Sequence, residues 1–197
     1  MSSLYPVIGV MIVIVLSPGP NNILVMNAGM RGGAKAAAPL IAGVLSGSVL
    51  LFALVNLGLG ASIEQLPLIE NIAAAAAVVY LLWLGLSLQR SAPGPSAMNE
   101  GSPVSATGVI VLQFLNPKAW ALMSFVVAST HRTTDLWLVL TAICVVTVVC
   151  LTLWAGAGAL LSRHLQDRRV FVRINRIMGA SLIVFAGLII VHQMRLL

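Results

Sequence analysis

Lys118 is the residue of this 197-residue chain whose position most needs a chemical reason. It follows Gln113, Asn116 and Pro117 in an otherwise uncharged stretch from Val104 to Ala128. A helix begun at Val104 carries it about 21 Å along the axis, within a bilayer's hydrocarbon or at its outer boundary. A cation there costs about 2.5 to 3.5 kcal/mol on insertion scales and by default marks function; the alternative is a tail that snorkels to the interface. An ammonium so placed can pair with a carboxylate or exchange a proton. The first half holds a matching irregularity, Ser17-Pro18-Gly19-Pro20-Asn21-Asn22. Two prolines around a glycine cannot continue a helix, and backbone groups freed in lipid must face protein or a wet cavity. Asn21 and Asn22 can satisfy some of them, and a half-helix resuming after the break would aim N–H groups at an anion such as a carboxylate. The residues expected to bind and gate a small polar ligand are therefore Ser17, Pro18, Gly19, Pro20, Asn21, Asn22, Gln113, Asn116, Pro117 and Lys118.

The elements that hold these groups follow from composition. Hydrophobic residues make up 59% of the chain and charged ones 8%, against about a quarter charged in soluble domains, and mean hydropathy is +1.04. These values exclude an ordinary soluble domain and predict an all-α integral membrane protein. Six charge-poor windows are long enough to span: Tyr5 to Asn27, Ala36 to Ala61, Ile72 to Leu88, Val104 to Ala128, Leu136 to Leu161 and Ile174 to Val191. The first and fourth are broken by the two proline motifs. Met1 to Leu16 lacks a basic n-region and is followed by further spans, so it is expected to stay as part of the first helix rather than to be cleaved.

Eight of the eleven Lys and Arg residues, Arg31, Lys35, Arg90, Arg163, Arg168, Arg169, Arg173 and Arg176, follow windows one, three and five. That side is expected to be cytoplasmic, with both termini on the outer, periplasmic side. The Pro- and Gly-rich stretch at about 91–103 divides a single domain into halves of about 1–90 and 104–197. Asn21 and Asn116 lie 95 positions apart, and the starts of windows two and five lie 100 apart. Three spans per half make the second copy enter from the opposite face, a 3+3 inverted repeat of the secondary-transporter kind.

Other chemistries find no residues here. All five acids (Glu64, Glu70, Glu100, Asp135 and Asp167) fall in connections, so no intramembrane carboxylate is available to relay protons or hold sodium. No phosphate-binding Gly-rich loop or nucleophile–base set occurs, so an enzyme is not expected, nor is a cofactor. His131, His164 and His192 are far apart and no metal site is expected. Cys144 and Cys150 are six apart in one span, too far for a disulfide, and are expected to pack. The basic residues are not gathered on one face, so no nucleic-acid partner is expected; the run from Arg163 to Arg176 suits anionic lipid instead. Gly43 and Gly47 form a small-residue face that could serve packing within the chain or a homodimer, and Ala155 to Ala159, with Gly156 and Gly158, a similar one. Trp83, Trp120, Trp137 and Trp154 are expected to pack or to sit at the interface.

With Pro18-Gly19-Pro20-Asn21-Asn22 ahead of Arg31 and Lys35, Gln113-Phe114-Leu115-Asn116-Pro117-Lys118 opening the second half, and Tyr80-Leu81-Leu82-Trp83-Leu84-Gly85 in the third window, the chain resembles the LysE/RhtB family of amino-acid exporters along essentially its whole length. The resemblance implies bacterial inner-membrane efflux of small amino acids or derivatives of the lysine, homoserine, threonine, leucine or cysteine type, driven by an ion gradient, with the proton expected as coupling ion. The Pro-Gly-Pro-Asn-Asn-Ile run looks most like the cysteine and O-acetylserine branch. The absence of buried acids favours a neutral substrate. The alternatives are export of an inorganic cation on the same fold, which would need anionic or thiol ligands in the membrane, and a small non-transporting membrane subunit.

Overall fold

The computed structural model describes residues 4–58, 67–90, 104–130, 136–164 and 168–194. Among them the chain is all helix: α1 (Leu4–Leu16), α2 (Pro20–Asn56), α3 (Pro67–Arg90), α4 (Ala106–Leu115), α5 (Pro117–Ser129), α6 (Leu136–His164) and α7 (Arg168–Met194). Three helical stretches are long and apolar enough to cross a membrane, Pro20–Asn56, Leu136–Ser162 and Val172–Val191; α4 and α5 make a fourth if that pair, bent by 69°, is one broken span. The linker at 91–103 lies outside the described residues.

The breaks are shorter than expected. At the first break Ser17, Pro18 and Gly19 leave the helix; Pro20 already occupies the first turn of α2, where its missing N–H costs nothing. Asn21 and Asn22 are therefore helical and do not belong to the opened backbone. At the second break Asn116 alone stands between α4 and α5, with Pro117 opening α5.

Window one was expected to end at Asn27 and window two to begin at Ala36, yet α2 runs through both. Its middle resolves the difference: Gly32 and Gly33 leave helical geometry, Gly33 at φ 62° and ψ −149°. That left-handed φ is one that only glycine adopts cheaply. Asn21 and Ser48 both hydrogen-bond the amide of Gln113, whereas a straight helix would hold them about 40 Å apart. The chain therefore turns back at Gly32 and Gly33, and α2 is two antiparallel limbs, residues 20–31 and 34–56. The second limb ends at Asn56, short of the expected Ala61; Gly60 and Ala61 lie outside the described residues.

Close backbone approach fixes how the limbs pack. The Gly29 Cα faces the Ala155 carbonyl, and Gly158 faces the Met26 carbonyl, so α6 and the first limb leave no room for a Cβ at either glycine. On the second limb a Cβ at Gly43 would stand 2.6 Å from the Ala106 carbonyl oxygen, and one at Gly47 2.8 Å from the Gln113 Cβ. The Gly43 and Gly47 face is thus used within the chain, against α4, and not left for a second copy. In α6, Gly158 packs as expected, while Gly156 faces open space. Gly158→Ala is expected to cost about 1–3 kcal/mol, read as a lower melting temperature of the purified protein.

Two apolar clusters result. One joins Leu24, Ala28 and Leu40 to Leu84, Leu112, Leu151 and Leu182. The other joins Leu4, Val7 and Met11 to Phe52, Met123, Val126, Ile143 and Cys150. Both cysteines are free, with Cys150 in the second cluster. Large side chains such as Val13, Val79, Trp137, Val149, Leu153 and Val184 point outward, as lipid-facing surfaces do.

Candidate functional site

The end of α1 shows why the first break is stable. A helix leaves its last four carbonyls without partners, and here each has one. Ser17 N–H donates to the Val13 carbonyl at 3.0 Å, and Ser17 Oγ to that of Ile14 at 2.8 Å. Asn22 Nδ2 donates to Val15 at 2.8 Å, and Trp154 Nε1 to Leu16 at 3.1 Å. Past the helix end, the Ser17 carbonyl accepts from Asn22 Nδ2 at 2.9 Å and from Lys118 Nζ at 2.7 Å. Lys118 thus ties the second broken helix to the first.

The second break is satisfied in the same way. Asn116 Oδ1 accepts from Lys118 N–H at 3.1 Å, capping α5. Ala119 and Trp120 N–H donate to the Asn116 carbonyl, and Trp120 Nε1 donates to the Phe114 carbonyl at 2.7 Å. Trp120 and Trp154 are therefore donors to interrupted backbone, a role the sequence reading did not assign them. A Trp154→Phe substitution, which keeps the ring and removes the donor, is expected to cost about 1–2 kcal/mol, read as a lower melting temperature.

These bonds also decide which half-helix can meet an anion. The first-turn N–H groups of α5 are all used internally. By contrast α2 starts without a side-chain cap, and the first bond into it is Ile23 N–H on the Gly19 carbonyl at 3.0 Å. The N–H groups of Asn21 and Asn22 stay open at the positive end of that limb, the geometry that suits a carboxylate.

The side-chain amides divide by function. Asn21 Nδ2 donates to Gln113 Oε1 at 2.6 Å, and Gln113 Nε2 to Ser48 Oγ at 2.6 Å. Asn22 spends its Nδ2 on backbone carbonyls and Asn116 its Oδ1 on the cap. Asn21 Oδ1, on a side chain 8% exposed, has no partner. A buried acceptor left alone costs about 1–3 kcal/mol.

These groups surround a narrow cavity with about 40 Å³ of free volume, room for about three waters. It lies where the two apolar clusters meet. Seven of the ten expected residues line it: Gly19, Pro20, Asn21, Asn22, Gln113, Asn116 and Lys118. Ser17, Pro18 and Pro117 are exposed and stand outside its wall; Ser17 contributes its carbonyl to Lys118. The rest of the wall went unassigned in the sequence: Ser48, Thr147 and an apolar set that includes Ile14, Val44, Leu122, Met123 and Leu151. Ser48 and Thr147, polar side chains inside apolar windows, were the available signal. Among the described residues, Lys118 is the one ionisable side chain in the wall.

The sequence model of the LysE type translocator family matches residues 12–193. A leucine efflux protein of Enterobacter sp. (strain 638) is 29% identical over 186 residues, covering 88% of each chain. The leucine efflux proteins of Klebsiella pneumoniae and Salmonella typhimurium are 27% and 26% identical over 188 residues, covering 88% and 89% of each chain. No solved structure matches.

Proposed function

Because the chain belongs to the LysE type translocator family, we propose that it exports small neutral amino acids of the leucine type across the bacterial inner membrane. One observation carries this reading. A single cavity is lined by Lys118, by Asn22 and by Asn21, the last with a buried side-chain acceptor, Oδ1, that has no partner. An α-amino acid presents the complement, a carboxylate for the donors and an ammonium for the acceptor. The aliphatic wall offers a dry place for an uncharged side chain. The relatives named for leucine agree with that wall, while nothing in the site favours a cysteine-type substrate.

The remaining features belong to the same proposal. Counting α1 with the first limb of α2, and α4 with α5, gives six spans in two halves. Support comes from α3 and α7, which meet at Gly85 and Gly179, a pair separated by 94 positions, close to the 95 between Asn21 and Asn116. In an inverted repeat, such a pair lies near the axis relating the halves. Six spans with basic loops inside put both termini outside. The cavity is far smaller than an amino acid, so loading requires one half to rock against the other. The proton is the coupling ion that Lys118 can carry. An inorganic cation suits the site poorly, since among the described residues neither a carboxylate nor a thiol lines it.

The test is efflux of preloaded labelled leucine from cells that overproduce the protein, beside a panel of cationic and cysteine-derived substrates, with and without an uncoupler. Leucine is expected to leave several times faster than from empty-vector cells, and the uncoupler to remove the gain. Equal rates across the whole panel would contradict the assignment.

A further inference from the structure

A second polar network lies away from the cavity and plays no part in binding there. Asn27 Nδ2 donates to Asn175 Oδ1 at 2.7 Å, and Arg31 Nε donates to Asn27 Oδ1 at 3.0 Å. Asn27 and Asn175 are each 1% exposed, yet Asn175 Nδ2 has no partner. The three residues bridge the first limb of α2, in one half, to α7, in the other. Asn27 stands about 1.7 turns beyond Asn21 toward the reversal at Gly32 and Gly33. Around them the seal is apolar, with Leu24, Ala28, Met30 and Met178 all buried.

An apolar seal between two halves loses its burial when they separate. A hydrogen-bonded one exchanges its partners for water at little net cost, and here opening would also give Asn175 Nδ2 the partner that the closed form denies it. Buried polar contacts that can be re-satisfied by water are suited to a contact that must break and reform. The adjacent Gly32 and Gly33 turn supplies a place where the limb can pivot.

We infer that Asn27, Arg31 and Asn175 form the gate on the Arg31 side of the membrane, closed in this structure, and that its opening connects the cavity to that side. The inference rests on the exporter reading for its purpose, and on its own geometry for its mechanics. The three are positioning residues, since none touches the cavity.

Two measurements test it, both in a Cys144→Ala, Cys150→Ala background. First, Asn175→Cys is alkylated with a membrane-impermeant maleimide in right-side-out and inside-out vesicles. The gate predicts labelling from the Arg31 side at least about tenfold faster than from the other. Equal labelling from both faces, or none from either, overturns it. Second, Asn27→Leu, Arg31→Met and Asn175→Leu together replace the network with an apolar seal of similar size. The gate predicts efflux of preloaded leucine reduced at least tenfold, with the melting temperature unchanged or raised. Unchanged efflux, or a loss no larger than the loss of folded protein, makes the network a packing device and overturns the gate. If the parent protein itself moves no leucine, the exporter reading fails, and the vesicle labelling still decides whether this side opens.

Discussion

Lys118→Met is expected to reduce leucine efflux about 30-fold or more while leaving the amount of folded protein nearly unchanged. The two halves of that expectation have separate causes. Truncating one member of a desolvated charge pair costs about 2–5 kcal/mol, and each 1.4 kcal/mol is tenfold, so a carboxylate that loses the ammonium is held about 30 to 3,000 times less well. Stability is spared because the Ser17 carbonyl, which Lys118 serves, also accepts from Asn22 Nδ2. Methionine keeps the length and the apolar stem without the charge. Lys118→Arg is expected to restore only part of the flux: a Cβ at Gly19 would already stand 3.2 Å from Nζ, so little space is left for a planar fork. The assay is labelled-leucine efflux at matched membrane levels, with the melting temperature measured alongside.

Asn22→Leu is expected to have the opposite profile. Its Nδ2 serves the Val15 and Ser17 carbonyls at once, and of the two only Ser17 has another donor. Removing it strands the Val15 carbonyl and unties the break from α2, at a cost of about 3 kcal/mol. For a chain of this size that is roughly 6–12 °C of melting temperature. Asn22→Asp should do no better, because a carboxylate cannot donate and adds a charge to a narrow site. The loss of transport should follow the loss of folded protein, since Lys118 and the Asn21 acceptor remain in the molecules that fold. Melting curves and per-molecule efflux, measured on the same preparations, check this.

These contrasting profiles show what the sequence could and could not reveal. Proline and glycine punctuate backbone regardless of context, so both interruptions and the chain reversal near Gly32 and Gly33 were visible as motifs and gaps. The small-residue face at Gly43 and Gly47 was visible too, but its partner was not, since only packing shows that α4 occupies it. Seven of the ten expected site residues line one cavity, because the first break satisfies part of its backbone through the other half, with Lys118 and Trp154 donating to it. What each amide does there was illegible. Asn21 and Asn22 are adjacent in sequence and alike in chemistry, yet a 100° rotation on the helix ties one to Gln113 with its acceptor unpartnered and the other to the broken backbone. The indoles of Trp120 and Trp154 were equally hidden, as their carbonyl partners lie 6 and 138 positions away.

The most direct measurement is leucine counterflow by purified protein in liposomes, which removes every other transporter and all metabolism. Liposomes preloaded with unlabelled leucine should draw in labelled leucine faster than empty ones, with isoleucine or valine competing, lysine and glutamate failing to compete, and Lys118→Met abolishing the exchange. If preloading with leucine or any other neutral amino acid produces no counterflow in folded protein, the cavity between the two broken helices is not an amino-acid site.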